Sequence, residues 1–590
     1  MNEQWVEIRK SGDFVKLGKE LNVSPVVARI IRNRGISDID EMRRFIGGED
    51  EALHDCGLLY GMNILVKVVS DKIKEGKKIR IIGDYDVDGI CATYILYKGL
   101  KFLGADCDYT IPHRVEDGYG INIKLIDEAK ADGVDTIITC DNGIAAREQT
   151  EHANELGLTM VITDHHEVPF EMIGGEKRFL LPDADAVVDP KLPGDDYPFK
   201  GICGAFVAFK VIEALAGGLG VQDADFKELM TEFTEFAALA TVCDVMELTD
   251  ENRTLVKRGL KLMRKSSNLG LKALIDINEI NDRVLTPYHL GFIIGPCLNA
   301  TGRLDTSLKA VELFCEKDAG KAAEMACYLK TLNESRKQMT IEFSKKAIDM
   351  VLSEEKPDKV IVLYLPECHE SLAGIIAGRV REHFVRPTFV LTKTEHGLKG
   401  SGRSIDAYDM FEGLTGVSEE LTKFGGHKLA AGISLNEDRL ESFRKKINDN
   451  AKLTDDDFKD TLRIDMELPF AYAGLSLAHE LELLEPFGTG NEPPVFARLN
   501  VTFLNGRIMG KNANIAKYKV SDGDGRVYEL VYFGDFKELE EYVSGIYGEE
   551  KGKLLHSGLS VNVKLDICYK LSVNTYMGNE SAQLLMKAYR

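Results

Sequence analysis

Four short stretches of this chain carry acids and histidines in patterns that could hold metal ions. Residues 83–90 read GDYDVDGI, placing Asp84, Asp86 and Asp88 at period two behind the apolar run Ile79-Arg80-Ile81-Ile82. Carboxylates crowded at the end of a strand repel one another unless a cation neutralises them. A solvated Asp-Gly turn is the other reading, and this stretch alone does not separate the two. Asp141 stands in TCDNG behind Thr136-Ile137-Ile138. Asp164-His165-His166-Glu167 follows Met160-Val161-Ile162, and Asp244 lies in TVCDVMELTDENR after a helical stretch. A single Asp after a strand is usually a helix cap. Three consecutive strands that each deliver an acid or histidine at a carboxyl end are another matter, because in a doubly wound sheet those ends lie side by side. Carboxylate with imidazole suits manganese, iron or zinc, and an oxygen-rich set tolerates magnesium. Two ions sharing Asp141 would sit about 3.5–4 Å apart, one activating water and both holding phosphoryl oxygens. The chemistry expected is phosphoester hydrolysis.

The elements that must position these residues are legible as periodicity. Strands are expected at 78–83, 107–111, 135–140, 159–164 and 186–189, with helices such as 91–104 and 121–132 between them. That alternation reads as βαβ units and a mostly parallel sheet, followed by helical sequence over 203–265. Residues 1–76 read as a small helical cap in which Val26, Val27, Ile30 and Ile31 recur at helical spacing and Met42 and Phe45 face inward. The phosphoesterase domain would then cover 77–305. Residues 306–353 lack proline and suggest a connecting helix, about 50 Å long if unbroken from 318 to 353. A break near Gly320 into two ordinary helices is the alternative. A second α/β unit spans 354–454, with strands at 359–364, 388–392 and 397–402 and a glycine cluster, KFGGHKLAAG. Asp455-Asp456-Asp457 reads as a solvated linker. Residues 465–590 form the last domain, which after Pro494 turns β-rich, with an Asp-Gly-Asp-Gly hairpin turn at 522–525, a size that suits a small OB-type barrel. The fold class is therefore α/β and multidomain.

Bulk composition bounds the rest. The 590 residues exceed what one core can hold. No stretch approaches the ~20 apolar residues of a membrane span. MNEQWVEIRK lacks an apolar signal region, so a cytoplasmic protein with no membrane partner is expected. Eleven cysteines with no CxxC pair argue for reduced thiols. The net charge of −21 disfavours a general nucleic-acid coater but leaves room for a local basic groove.

GDYDVDG, TCDNG, TDHHE and the Asp244 segment resemble the four motifs of the DHH phosphoesterase superfamily. IPHRVEDGYGIN, GPCLNATGRL, GSGRSI, FGGHKLAAG and LEPFGTGNEPPVF narrow the resemblance to the RecJ family of bacterial single-stranded-DNA exonucleases. The resemblance implies a DHH domain, a DHH-associated domain and an OB-fold that grips single-stranded DNA. It implies 5′-to-3′ release of mononucleotides with a divalent metal, most often Mn2+, with Mg2+ the alternative and up to two ions. Motif by motif, Asp86, Asp141, His165 and Asp244 resemble the ligands of one ion, and Asp84 with Asp141 those of the other. His166 would touch the scissile phosphate, and Asp88 would support the loop from behind. Ser401, Arg403 and His427 resemble substrate-phosphate contacts, with Gly425 and Gly426 letting the backbone come close. Arg114 would join Ser401 and Arg403 around a 5′-phosphate, while Arg303 and Asn299 remain as further contacts. The family role implies recombination and repair, and a single-stranded-DNA-binding protein or a helicase as partner.

Two positions depart from the family pattern. Ile82 stands where some relatives carry a histidine, which leaves the second ion two protein ligands. Cys297 stands where many carry a basic residue. In the barrel, Phe503, Tyr518, Tyr528, Tyr532 and Phe533 are candidates for base stacking, half of them expected in the core by strand alternation. Lys511, Lys517, Arg526 and Lys570 could track a backbone, and Tyr119 could stack or serve a turn. Two other functions stay open: a DHH phosphodiesterase for short oligonucleotides or cyclic dinucleotides, and a non-catalytic DNA-binding scaffold. Residues beyond 465 argue against the first, and the complete ligand set against the second.

Overall fold

In the computed structural model, which describes residues 3–48, 52–395, 397–510, 513–576 and 578–590, the chain forms two compact units. One is Ala52–Phe458, and the other combines Met1–Glu51 with Lys459–Arg590.

The first unit is built on a five-stranded parallel sheet. Its order is Asp106–Thr110, Lys78–Ile82, Thr136–Cys140, Thr159–Thr163, Ala186–Val188. Thr136–Cys140 is buried at every residue, as a parallel strand covered on both faces must be. Helix Val87–Phe102 is likewise buried nearly all round over its first ten residues, which explains its largely apolar sequence there. The chain starts at Lys78–Ile82, lays one strand beside it, then returns to the other side. The crevice between Lys78–Ile82 and Thr136–Cys140 is therefore the topological switch point, where ligands of such sheets bind. Helices Gly204–Leu219, Ala224–Cys243 and Asp250–Met263 cover one face.

Helix Ala319–Leu352 runs unbroken through Gly320 for 34 residues, about 51 Å. Asp318 caps it by accepting the Lys321 amide, so the stretch is one helix and not two. The second α/β part has the order Lys423–His427, Ala430–Leu435, Gly397–Arg403, Thr388–Thr394, Ile361–Tyr364. Its glycines stand in register: Ser401 faces Gly432, and Gly432 faces Gly425, which leaves a strip of sheet almost free of side chains.

The second unit contains a six-stranded sheet in which Phe496–Met509 pairs with both Ile515–Ser521 and Val563–Tyr576, closing it into a barrel. The N-terminal boundary differs from the expected one at 76. Glu3–Glu7 pairs in parallel with Asp460–Ile464, and Val27, Ile30, Ile31, Met42 and Phe45 share a core with Phe496, Phe503 and Ile567. Helix Met62–Lys74 instead packs Leu65 and Val69 into the parallel-sheet core. Periodicity identifies an apolar face without saying which core receives it. The hairpin Phe170–Ile173 with Glu176–Phe179, exposed along both strands, and helix Phe536–Tyr547 add to the expected elements. No helix among the described residues is long and apolar enough to cross a membrane.

Candidate active site

The switch point gathers the acids and histidines. Asp84 and Asp86 follow Lys78–Ile82, and Asp141 follows Thr136–Cys140 with φ 60°, a left-handed conformation that Asp tolerates better than most residues. His165 and His166 follow Thr159–Thr163, while Asp244 is the C-cap of Ala224–Cys243. Potential ligand atoms of Asp84, Asp86 and Asp141 lie within 4.8 Å of one another, as do those of Asp141, His165 and His166, and those of Asp88, His165 and Asp244. His165 Nε2 is 3.0 Å from Asp141 Oδ1 and 3.7 Å from Asp244 Oδ2.

Crowding and burial leave these groups poorly matched to a metal-free state. Burial, then the charge of Asp86, raises Asp84 well above the usual carboxylate range. Burial, then Asp88 and Asp86, does the same to Asp141. Asp244 is pushed up to about 8 by burial and the charge of Asp88. Burial lowers His165, keeping its imidazole neutral and able to ligate. Asp84 Oδ1 and His165 Nδ1 are buried without a hydrogen-bond partner, and His165 Nε2 faces only carboxylate oxygens. Unsatisfied acceptors beside clustered carboxylates fit divalent cations, and the mixed oxygen and nitrogen donors suit manganese, with magnesium possible at the all-oxygen group. Ile82 is fully buried in an apolar cluster with Ile137 and Met160 and contributes no donor.

Neighbouring groups hold this set in place. Asp88 Oδ2 and Oδ1 accept the amides of Gly204 and Ala205, each at 2.7 Å, so Asp88 fastens the N-terminus of Gly204–Leu219 beneath the cluster. Asp164, to which the sequence assigned no role, accepts from His166 Nδ1 at 2.7 Å and from the amides of His165 and Ile144. Burial opposes the imidazolium of His166, but the hydrogen bond and charge of Asp164 outweigh it and raise His166 to about 9. Tyr119 donates its hydroxyl to the Asp141 carbonyl at 3.2 Å and lies equally close to His166. Its hydroxyl thus braces the site, while its ring is exposed in the wall of a neighbouring cavity. Asn142 Nδ2 donates to the carbonyls of Ile82 and Cys140, tying the two strands of the switch point together.

A cavity of about 450 Å³ adjoins this cluster, lined in part by Tyr85, Tyr119, Arg114, Arg303, Ser401 and Arg403. Gly425 also lines it, and a side chain there would meet no atom, so the wall is open to a ligand's approach. Arg403 Nη1 donates to Ser401 Oγ at 3.0 Å, and the Arg114 guanidinium lies 4.5 Å from the Tyr85 ring centre. Burial, then Arg114 and Arg336, lowers Arg303 to about 9. Half-buried guanidiniums that repel one another mark a place for an anion. Asn299, Gly426 and His427 lie outside the lining. Asn299 is half-buried on Gly295–Leu304, a side chain on Gly426 would strike the Ala430 carbonyl, and His427 Nδ1 accepts the Leu429 amide in a hairpin turn. Cys297 is buried, its thiol donating to the Ile293 carbonyl and accepting from Asn333.

The barrel places its aromatics unevenly. Phe503, Tyr518 and Tyr532 are in the core, Tyr528 is half-buried, and Phe533 is exposed. Three of the five stacking candidates are thus unavailable, because alternation sends them inward. Lys517 pairs with Glu529 at 2.7 Å, Lys570 is half-buried, Arg526 is exposed, and Lys511 lies outside the described residues.

Comparison with known proteins places these parts. Residues 78–241 match the DHH family, N-terminal domain, residues 357–453 the DHHA1 domain, and residues 464–588 the RecJ OB domain. The chain is 32% identical to the single-stranded-DNA-specific exonuclease RecJ of Bacillus subtilis, over 99% of this chain and 70% of that one. It is 30% identical to the protein of the same name from Escherichia coli, over 99% of both chains. The crystal structure of RecJ with Mn2+ from Thermus thermophilus superposes with a TM-score of 0.81 at 26% identity, covering 100% of this chain and 80% of that one. A second structure of that protein, with Mg2+, gives 0.76 at 25%.

Proposed function

Because the chain belongs to the RecJ family, we propose that it is a metal-dependent exonuclease that hydrolyses single-stranded DNA from the 5′ end and releases 5′-mononucleotides. The observation that carries this reading is the adjacency of two features. A crowd of metal-type ligands, with Tyr85 between Asp84 and Asp86 and Tyr119 bonded to Asp141, adjoins a cavity that these two tyrosines line together with arginines.

Asp86, Asp141, His165 and Asp244 would hold one divalent ion, and Asp84 with Asp141 the other, Mn2+ being expected and Mg2+ the alternative. Bound there, such ions supply an activated water and neutralise charge on the phosphoryl group. The chain's own groups do the rest. Asp88 fixes the helix beneath Asp141. His166, kept protonated by Asp164, donates to a non-bridging oxygen of the scissile phosphate. Arg114, Ser401, Arg403 and Arg303 grip a 5′-phosphate, with Gly425 giving it room, so only a strand end can place its first linkage on the cluster. Asn299, Gly426 and His427 would act farther along the strand or in shaping the hairpin. With Cys297 buried, a backbone contact at that position is given up. The OB barrel holds the downstream strand. Recombination and repair, in the cytoplasm and beside a single-stranded-DNA-binding protein or helicase, is the setting this activity suits.

An oligonucleotide or cyclic-dinucleotide phosphodiesterase would have no use for the barrel, and a non-catalytic scaffold no use for the intact ligand set. The test is a 5′-phosphorylated single strand labelled at its 3′ end, incubated with Mn2+ beside duplex DNA and a dinucleotide. A ladder shortening from the 5′ end on the single strand, lost in Asp141→Ala, is expected. Rapid dinucleotide turnover with long DNA untouched would overturn the assignment.

A further inference from the structure

Two aromatic rings stand in solvent on the turn that leads into Gly295–Leu304, without a structural task. Tyr288 is 61% exposed and Phe292 68%, and their rings stack with centres 5.2 Å apart and planes 22° from parallel. They are held outward from beneath. Leu290 and Ile294, between and after them, are fully buried, and the backbone from Leu290 to Ile294 makes a π-helical turn. An extra residue in a helical turn weakens its hydrogen bonding and is most often kept where function requires it. The turn is braced at its start by Thr286, whose amide donates to His289 Nδ1 at 3.1 Å.

The backbone that carries this pair is tied to the segment of the reacting centre. The Leu290 carbonyl accepts the Cys243 thiol at 3.5 Å, one residue before Asp244. The same segment continues directly into Gly295–Leu304, whose Arg303 lines the arginine cavity. Phe292 and Arg303 are eleven residues apart, about 16 Å along a helix. Burial, then the charge of Arg283, lowers His289, so Arg283 adds positive potential next to the residue that follows Tyr288.

We propose that Tyr288 and Phe292 form a stacking platform for a nucleobase of the single strand being degraded, beyond the nucleotide at the arginine cavity. Offset rings present a flat outer face, which every base can meet regardless of sequence. The platform keeps the strand aligned between successive cleavages. This inference rests on the single-strand exonuclease reading, so its test separates the two.

Tyr288→Ala with Phe292→Ala should raise KM for a long 5′-phosphorylated oligonucleotide about 10-fold with little change in kcat. The KM of a 5′-phosphorylated dinucleotide, too short to reach the rings, should stay put, and Tyr288→Phe should behave as the parent. Equal losses on both substrates would reveal a folding role and overturn the platform, as would an unchanged KM on the long strand. A Phe292→Trp variant is read against the parent, whose single tryptophan is Trp5. With metal chelated, oligothymidylate should quench the added fluorescence. Absence of quenching would overturn the platform even if the enzyme is active. Quenching without any hydrolysis by the parent would overturn the exonuclease reading and leave the platform standing.

Discussion

Gly204 lies against Asp141 so closely that a β-carbon on it would sit 2.7 Å from the Asp141 Cβ and 2.9 Å from its Oδ1. The amide of the same glycine donates to Asp88 at 2.7 Å. One residue without a side chain thus lets a helix N-terminus approach the shared candidate ligand while a carboxylate fastens it there.

Gly204→Ala should therefore disable the site without removing any polar group. The added methyl must displace Asp141 or lift the helix, and a misplacement near 1 Å costs about 100-fold in rate. Hydrolysis rates and manganese titration calorimetry on the folded variant would check this; parent-like affinity and rate would refute the packing argument.

Asp164→Asn should act through His166. Losing the carboxylate returns the imidazole from about 9 toward its ordinary range, so it is neutral at pH 8. Hydrolysis at pH 8 should fall about 100-fold and recover partly as the pH is lowered, whereas the parent shows no such recovery. A pH–rate profile of both proteins distinguishes this from general damage.

Arg403→Ala should erase discrimination between strand ends. A charged hydrogen bond to phosphate contributes about 1.5–3 kcal/mol, so the parent's preference for a 5′-phosphate over a 5′-hydroxyl should drop by roughly 10- to 100-fold. The ratio of kcat/KM for the two ends reports it directly, and an unchanged ratio would remove Arg403 from the anion site.

Metal and pH should be linked in stability. Asp244 ionises near pH 4 when unfolded but about 8 in the metal-free fold, so the folded state binds the extra proton between those values. Its raised value makes the metal-free protein lose stability as pH rises through that window. Manganese, by replacing the proton, should raise Tm more at pH 8 than at pH 6. Thermal scans with and without metal at both pH values would show it; an equal increment would contradict the crowding argument.

The DHH and OB character, the parallel sheet and the cluster of acids were legible in the sequence because each depends on local pattern. Buried parallel strands such as Thr136–Cys140 must be continuously apolar, and polar residues at their ends stand out against that background. The role of Asp164 was half legible: it sits inside TDHHE, yet only its 2.7 Å contact with His166 shows what it does. Asn142 gave no signal beyond its place in TCDNG. The barrel aromatics were legible only as a set, about half of them expected inward, because period two says that strand faces differ and not which one meets the core. The N-terminal helices misled for the same reason, their apolar faces being taken by Phe496 and Ile567, more than 400 residues away in sequence.

By itself, then, the sequence determined the chemistry of the donors and the strands that deliver them, since residue type and periodicity are local properties. Tertiary structure alone decided which donors come within ligand distance, that Asp88 clamps Gly204, that the arginines line one cavity, and that Tyr288 and Phe292 face water. Those outcomes depend on which surfaces exclude solvent together, and burial is a property of pairs of elements that no single stretch contains.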